Sequence, residues 1–156
     1  MSAVEDRLAE LGLTLPAVAA PVAAYVPAVL DGDRVWTSGQ LPFVDGALAA
    51  TGKVGTGEGQ VPAEDAAHLA RVCALNALAA VKSVVGDLDR VARVVKVVGF
   101  VASDPAFTGQ PGVINGASGL LGEVFGEAGV HARSAVGVAV LPMDAPVEVE
   151  LVVALR

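Results

Sequence analysis

The stretch from Pro62 to Val85 constrains this chain most, because its spacing is helical and it is apolar almost all the way round. Ala67, Leu69, Ala70, Val72, Leu75, Leu78, Ala79, Val81 and Val85 are too many for one narrow stripe. Most of the helix therefore has to be covered by other parts of the protein. Its ends are well marked: Pro62 fits the first turn, Glu64 and Asp65 suit the positive end of the helix dipole, and Gly86 is the stop. A helix of this kind predicts a sheet for it to lie on.

The flanking text supplies the strands. Tyr25 to Leu30 reads as a short strand, Asp31-Gly32-Asp33 as a turn, and the β-branched and aromatic run Arg34 to Gln40 as a second strand. Leu41 to Gly59 is Gly-rich and reads as a loop with a loose hairpin. Leu88 to Ser103 carries Val94, Val95, Val97, Val98 and Val101 around Lys96, the pattern of a strand buried on nearly both faces. Gly112 to Gly126 places Val113, Ile114, Leu120, Leu121, Val124 and Phe125 at helical spacing, although Gly116 and Gly119 weaken that helix. Ser134 to Leu141 and Pro146 to Leu155 read as two strands of a β-hairpin closed by the turn Pro142-Met143-Asp144-Ala145-Pro146. Ahead of all this, Val4, Leu8 and Leu11 share one face of a short helix over Ala3 to Leu11, followed by a Pro/Ala-rich extended lead-in from Leu15 to Ala24. The whole predicts one α+β domain over residues 1–156, with two helices packed on one face of a mixed sheet and residues 1–24 as an N-terminal addition.

Such a sheet keeps one face bare, and the composition bears on what covers it. Hydrophobic residues make up 54% of the 156, while 17% are charged and 4% aromatic. A soluble chain this apolar is expected to cover part of its surface with copies of itself. The net charge is −7, and the ten Lys and Arg residues are scattered, with no cluster denser than Arg90 and Arg93. Nucleic-acid binding needs clustered cations against phosphates, so that class is disfavoured. The single cysteine, Cys73, sits in the apolar helix and reads as a buried small hydrophobe. Met1 to Glu10 carries three acids and no apolar core, so no signal peptide is expected. No uncharged apolar run reads as a membrane span, and the cytoplasm is the expected compartment.

Four placements break the apolar pattern. Thr37-Ser38-Gly39-Gln40-Leu41-Pro42 ends a strand; Asn115 follows Pro111 near a helix start; Arg133 opens the strand Ala132-Arg133-Ser134-Ala135-Val136; and Glu148 and Glu150 alternate along Val147 to Leu151. A lone arginine at a strand end is either half of an ion pair or a fork for a carboxylate ligand. In the expected hairpin Arg133 would lie opposite about residue 155, putting Glu150 about 16 Å along the strand at about 3.3 Å per residue. A pairing of the two would then require another subunit. Glu148 shares a face with Glu150 by period two. The one Cys and the two His residues, His68 and His131, make no metal-site spacing. There is no phosphate-binding glycine loop with its lysine.

This set resembles the RidA-like (YjgF) superfamily. The matching text is Tyr25 twelve residues before Thr37, then TSGQLP, the long helix, HARSAVGVAVLP, and PVEVELVVAL. The resemblance covers about Tyr25 to Arg156, and the C-terminal part is its most specific portion. It implies a chorismate-mutase-like (YjgF) α+β fold assembled as a homotrimer, with ligand clefts between subunits and no cofactor. It also implies hydrolysis of reactive 2-imino or enamino acids to 2-oxo acids and ammonia. The ligand would be a small carboxylate-bearing metabolite. By position, Arg133 matches the family's carboxylate clamp and Glu150 the glutamate beside the hydrolytic water. Ser38, Gly39 and Tyr25 match pocket-lining positions, and Asn115 matches an asparagine that bonds across the interface or caps the helix. Ala135 stands where the well-studied branch has a cysteine, and His131 stands where it usually has a proline. The loop Thr108 to Gly112 and the N-terminal residues are extra, placing the chain in a longer branch. A non-catalytic module binding small carboxylates is the alternative, and the endoribonuclease activity attached to some members is a third. His131 could assist proton transfer.

Overall fold

The spine of the protein is β5 (Val91–Ala102), the strand that the valine run predicts. The computed structural model describes residues 2–18, 20 and 23–156. The other elements are α1 (Ala3–Glu10), β1 (Ala28–Asp31), β2 (Arg34–Thr37), β3 (Phe43–Val44), β4 (Ala47–Leu48), α2 (Ala63–Val85), α3 (Gln110–Phe125), β6 (Ala132–Val138) and β7 (Val147–Leu155). Five strands form one sheet in the order β1-β2-β7-β5-β6, and β3 and β4 form a separate small ribbon. Part of the expected lead-in (residues 19, 21 and 22) lies outside the described residues, and Tyr25 precedes β1 rather than belonging to it.

The expected hairpin of β6 and β7 does not form. β5 lies between them, running parallel to β6 and antiparallel to β7. The reason lies in β5 itself. A twelve-residue strand this apolar is most stable with both edges paired and a helix over one face. The β5–α3–β6 crossover supplies the parallel partner, and the long return after Val138 brings β7 to the other edge. The segment Pro142 to Pro146 is therefore a connection across the end of the sheet. Met143 and Asp144 adopt positive φ there (59° and 58°). The carbonyl of Asp144 accepts from Gly52 N–H and that of Pro146 from Ala102 N–H.

Both long helices lie on one face of the sheet, as expected. β7 points Val147, Val149, Leu151 and Val153 at them, and β5 points Val94, Val97 and Val101 the same way; all are buried. α2 meets β7 and α3 through small residues, Ala66, Ala70, Cys73, Ala74 and Ala77, each fully buried. By length and composition α2 could cross a membrane, but 56% of its most apolar stretch is buried inside the protein, as befits a core helix. Small side chains let the backbones approach. A Cβ at Gly116 of α3 would collide with the carbonyl of Ala67 in α2. The glycine that weakens α3 locally is thus what lets the two helices touch. α3 starts two residues before the expected Gly112, with Pro111 in its first turn.

The loop after β2 contains the hairpin β3–β4, turned by Asp45-Gly46 with φ of 50° and 82°, the two-residue turn that matches strand twist. α1 is pinned at its start by Asp89, whose carboxylate accepts from Ser2 Oγ and from the N–H groups of Ala3 and Val4. The backbone bonds from Val4 and Ala3, then that from Ser2, hold the Asp89 carboxyl below its ordinary range.

Among the described residues, no element of this chain covers the sheet's second face. Trp36 is 52% exposed, Val29 50% and Val136 45%, a large apolar fraction for open surface. Lys96, Phe100, Glu148 and Glu150 stand half-buried among them.

Candidate functional site

The residues singled out in the sequence separate into two groups. The first gathers around Arg133. Its partner in β5 is Val97, which is fully buried, so Arg133 shares the helix-covered face. Because β6 is an edge strand, the guanidinium emerges beside α3 instead of in the core. There Nη1 donates to Asn115 Oδ1 at 2.7 Å and to Ser118 Oγ at 3.3 Å. Asn115 lies well inside α3, so it holds the arginine within its own chain and does not cap the helix. Asn115 and Ser118 are three residues apart and so share one helix face; that spacing is the signal by which Ser118 could have been found.

Arg133 has no acid. The ion pairs among the described residues join Arg7 to Glu10, Arg34 to Asp33, Arg71 to Glu123 and Lys82 to Glu5. The structural ion pair that a strand-end arginine could form is thus absent among these residues. Two neutral oxygens orient the guanidinium without neutralising it, which leaves a half-buried positive charge with donors to spare. Single-chain clefts of about 480 and 420 Å³ lie elsewhere, one lined by Pro16, Gln40, Phe43 and Asn76, the other by Val4, Asp89, Val124 and Arg156.

His131 belongs to the same group. Its Nδ1 lies 2.5 Å from the carbonyl of Gly129, and its Nε2 lies 2.9 Å from Ser118 Oγ. A carbonyl can only accept, so Nδ1 carries the proton and a neutral imidazole offers Nε2 as acceptor to the Ser118 hydroxyl. His68, on α2, takes no part in this cluster.

The second group sits where β2 ends against β7. Gln40 and Val149 exchange backbone bonds at 2.8 and 3.0 Å, and Leu151 N–H donates to Thr37 Oγ1 at 2.9 Å. Ser38 is committed to holding the lead-in, its hydroxyl donating to the Val26 carbonyl at 2.6 Å. Tyr25, one residue earlier, is exposed. Gly39 is bare for a steric reason: a Cβ there would overlap the carboxylate of Glu148. Burial, and then the neighbouring Glu150 charge, raise the Glu148 carboxyl above its ordinary value. Of the two glutamates, the sequence favours Glu150, whereas Glu148 is the one with the perturbed carboxyl and the fitted seat.

The structure brings Arg133 to Asn115 and Gly39 to Glu148, but it does not bring Arg133 to Glu150. Glu150 is in register with Val98, the residue after Val97. It therefore points to the open face, two strands and about 10 Å across from β6. The expected separation along a hairpin is replaced by separation through the sheet.

Comparison with known proteins matches residues 5–155 to the family described as "YjgF/chorismate_mutase-like, putative endoribonuclease". The chain belongs to this family. Among YjgF-like relatives, protein TCP17 of Trypanosoma cruzi is 47% identical over 98% of this chain and 94% of its own length. The crystal structure of Atu1372 from Agrobacterium tumefaciens superposes with a TM-score of 0.90 at 46% identity, covering 99% of this chain and 93% of that one. TdcF of E. coli with bound serine has a TM-score of 0.64 at 26% identity, covering 92% of this chain and 95% of that one. The chorismate-mutase-like α+β fold implied by the sequence resemblance is therefore the fold of this chain.

Proposed function

We propose that this protein hydrolyses reactive 2-imino acids to 2-oxo acids and ammonia, at clefts completed by a second copy of the chain within a homotrimer. The observation that carries the proposal is the guanidinium of Arg133, oriented by Asn115 and Ser118 and paired with no acid among the described residues. A fork of this kind grips a carboxylate through two parallel N–H bonds. That TdcF carries serine, a small molecule bearing a carboxylate, supports the ligand class.

Hydrolysis then needs water at the C=N carbon and a group to manage protons. Water adds to the iminium carbon and loses a proton, giving a carbinolamine; the nitrogen leaves as ammonia while the hydroxyl becomes the 2-oxo group. The carboxylates on the open face supply the acceptor. Glu150 positions the water, and Glu148, with its raised carboxyl, exchanges the proton. Because Arg133 and Glu150 face opposite sides of one sheet, the arrangement requires one copy to lend its clamp and another its glutamates. The apolar surface around Trp36, Val29 and Val136 supplies area for that contact.

The test is steady-state hydrolysis of freshly generated 2-iminobutanoate by wild type and by Arg133→Ala. Loss of charge-assisted bonds worth about 1.5–3 kcal/mol predicts a fall of about 10- to 150-fold in kcat/KM. Equal rates for the two proteins contradict the proposal. Binding of 2-oxobutanoate through Arg133 without turnover would make the protein a carboxylate-binding module.

A further inference from the structure

We infer that Ser118 and His131 are part of the anion site, and that a proton taken up at His131 turns the Ser118 hydroxyl into a further donor for the molecule held by Arg133. This rests on the reading of Arg133 as a carboxylate clamp. It adds two residues and a coupling to protons which that reading does not contain.

The argument is an accounting of donors and acceptors. Gly129 O fixes the proton of the imidazole on Nδ1. With the ring neutral, Nε2 has only a lone pair, so the bond of 2.9 Å to Ser118 uses the serine's one proton. Ser118 Oγ also accepts from Arg133 Nη1 at 3.3 Å. The hydroxyl's one proton is thus engaged, and it offers no donor to an anion beside the guanidinium. Protonation of Nε2 reverses that bond. Ser118 Oγ then accepts from both His131 and Arg133, and its own proton is free to point to an anion. The Gly129 bond is unaffected, since Nδ1 donates in both states. An imidazole changes charge under mild conditions, which suits it to such a coupling.

Two cations make hydrogen bonds at or beside this cluster among the described residues. Arg133 itself contacts Ser118 from β6. From β5, Arg93 donates to the carbonyl of Val130, beside His131, at 3.1 Å. Both are cations, and a carboxylate held by Arg133 adds an opposite charge beside the imidazole, which favours its charged form. Anion binding and proton uptake should therefore favour one another, as linkage requires. One turn on from the serine along α3, a Cβ at Gly122 would meet nothing within 4 Å.

The experiment is titration calorimetry of the full chain with 2-oxobutanoate, whose carboxylate stays ionised across the range, at pH 6 and pH 8 in buffers of different ionisation enthalpy. Nitrogen-15 spectra of the two histidines accompany it, with His131→Gln assigning His131. The expected result for wild type is binding about 10-fold tighter at pH 6 than at pH 8. Net proton uptake and a ligand-induced shift of His131 Nε2 to the protonated form should accompany it. Ser118→Ala should flatten the pH dependence while still binding, and His131→Gln should abolish the proton uptake. If wild type binds through Arg133 but takes up no proton and is unchanged in Ser118→Ala, the relay is overturned and the clamp stands. If Arg133→Ala binds as well as wild type, the clamp falls and the relay with it.

Discussion

Arg133 and Glu150 stand on opposite faces of the same sheet. Arg133 is in register with Val97 and Glu150 with Val98, and successive residues of β5 point in opposite directions. One chain therefore holds the Arg133 guanidinium on its helix-covered side and a pair of glutamates on the other side, with the thickness of the sheet between them. A reaction that needs both has to draw them from different copies.

The seat of Glu148 gives a first prediction. Gly39 leaves room for the Glu148 carboxylate, and the atoms that a new Cβ would strike are the flexible end of that side chain. Gly39→Ala should therefore fold normally, with a Tm close to wild type, while displacing the carboxylate. Imine hydrolysis should fall about 10-fold or more, since catalysis is lost when a proton-transfer group is misplaced. Paired thermal melts and rate measurements check both halves.

The raised carboxyl of Glu148 gives a second. Burial is the larger cause, and the Glu150 charge the smaller. The folded state thus binds this proton more tightly than the unfolded chain does. The resulting stabilisation is fully present below the unfolded carboxyl value and is lost as pH rises through the folded one. Glu148→Gln, which cannot ionise, should raise the Tm relative to wild type at pH 8. That advantage should disappear at pH 4, as thermal unfolding at the two values would show.

The contact between α2 and α3 gives a third. At Gly116 the obstruction is the backbone carbonyl of Ala67, which cannot swing aside as a side chain does. Gly116→Ala should force the helices apart at a cost of about 1–3 kcal/mol, lowering the Tm by about 3–10 °C. Gly119→Ala, with open space around its Cβ, should raise the Tm slightly through helix propensity. Calorimetry of the two variants separates packing from propensity.

Much of this was legible in the residues, and the failures have a common origin. The long helix, its caps, the β5 run and the amphipathic N-terminal helix are local patterns, and each appears where the periodicity puts it. Pro142 to Pro146 reads as a hairpin turn between β6 and β7, but strand pairing is decided by which edges β5 leaves open. Gly116 looked like a flaw in α3 because its value lies in a neighbour distant in sequence. Arg133 is visible as a lone cation in an apolar strand, and the spacing of three residues from Asn115 points to Ser118. The position of His131 beside Ser118 has no such local signal, since it depends on how the β5–α3–β6 crossover sets β6 against α3. The family resemblance favours Glu150 over Glu148, and the room that Gly39 leaves for the Glu148 carboxylate has no local signature.

The most direct test of a shared site is subunit mixing. Arg133→Ala and Glu148→Gln/Glu150→Gln are each prepared, unfolded together in equal amounts and refolded, and 2-iminobutanoate hydrolysis is measured against each variant refolded alone. A site that takes Arg133 from one copy and the glutamates from another should recover about a quarter of wild-type activity by random assortment of copies. Activity in the mixture no higher than the sum of the separate variants would contradict a cleft built from two chains.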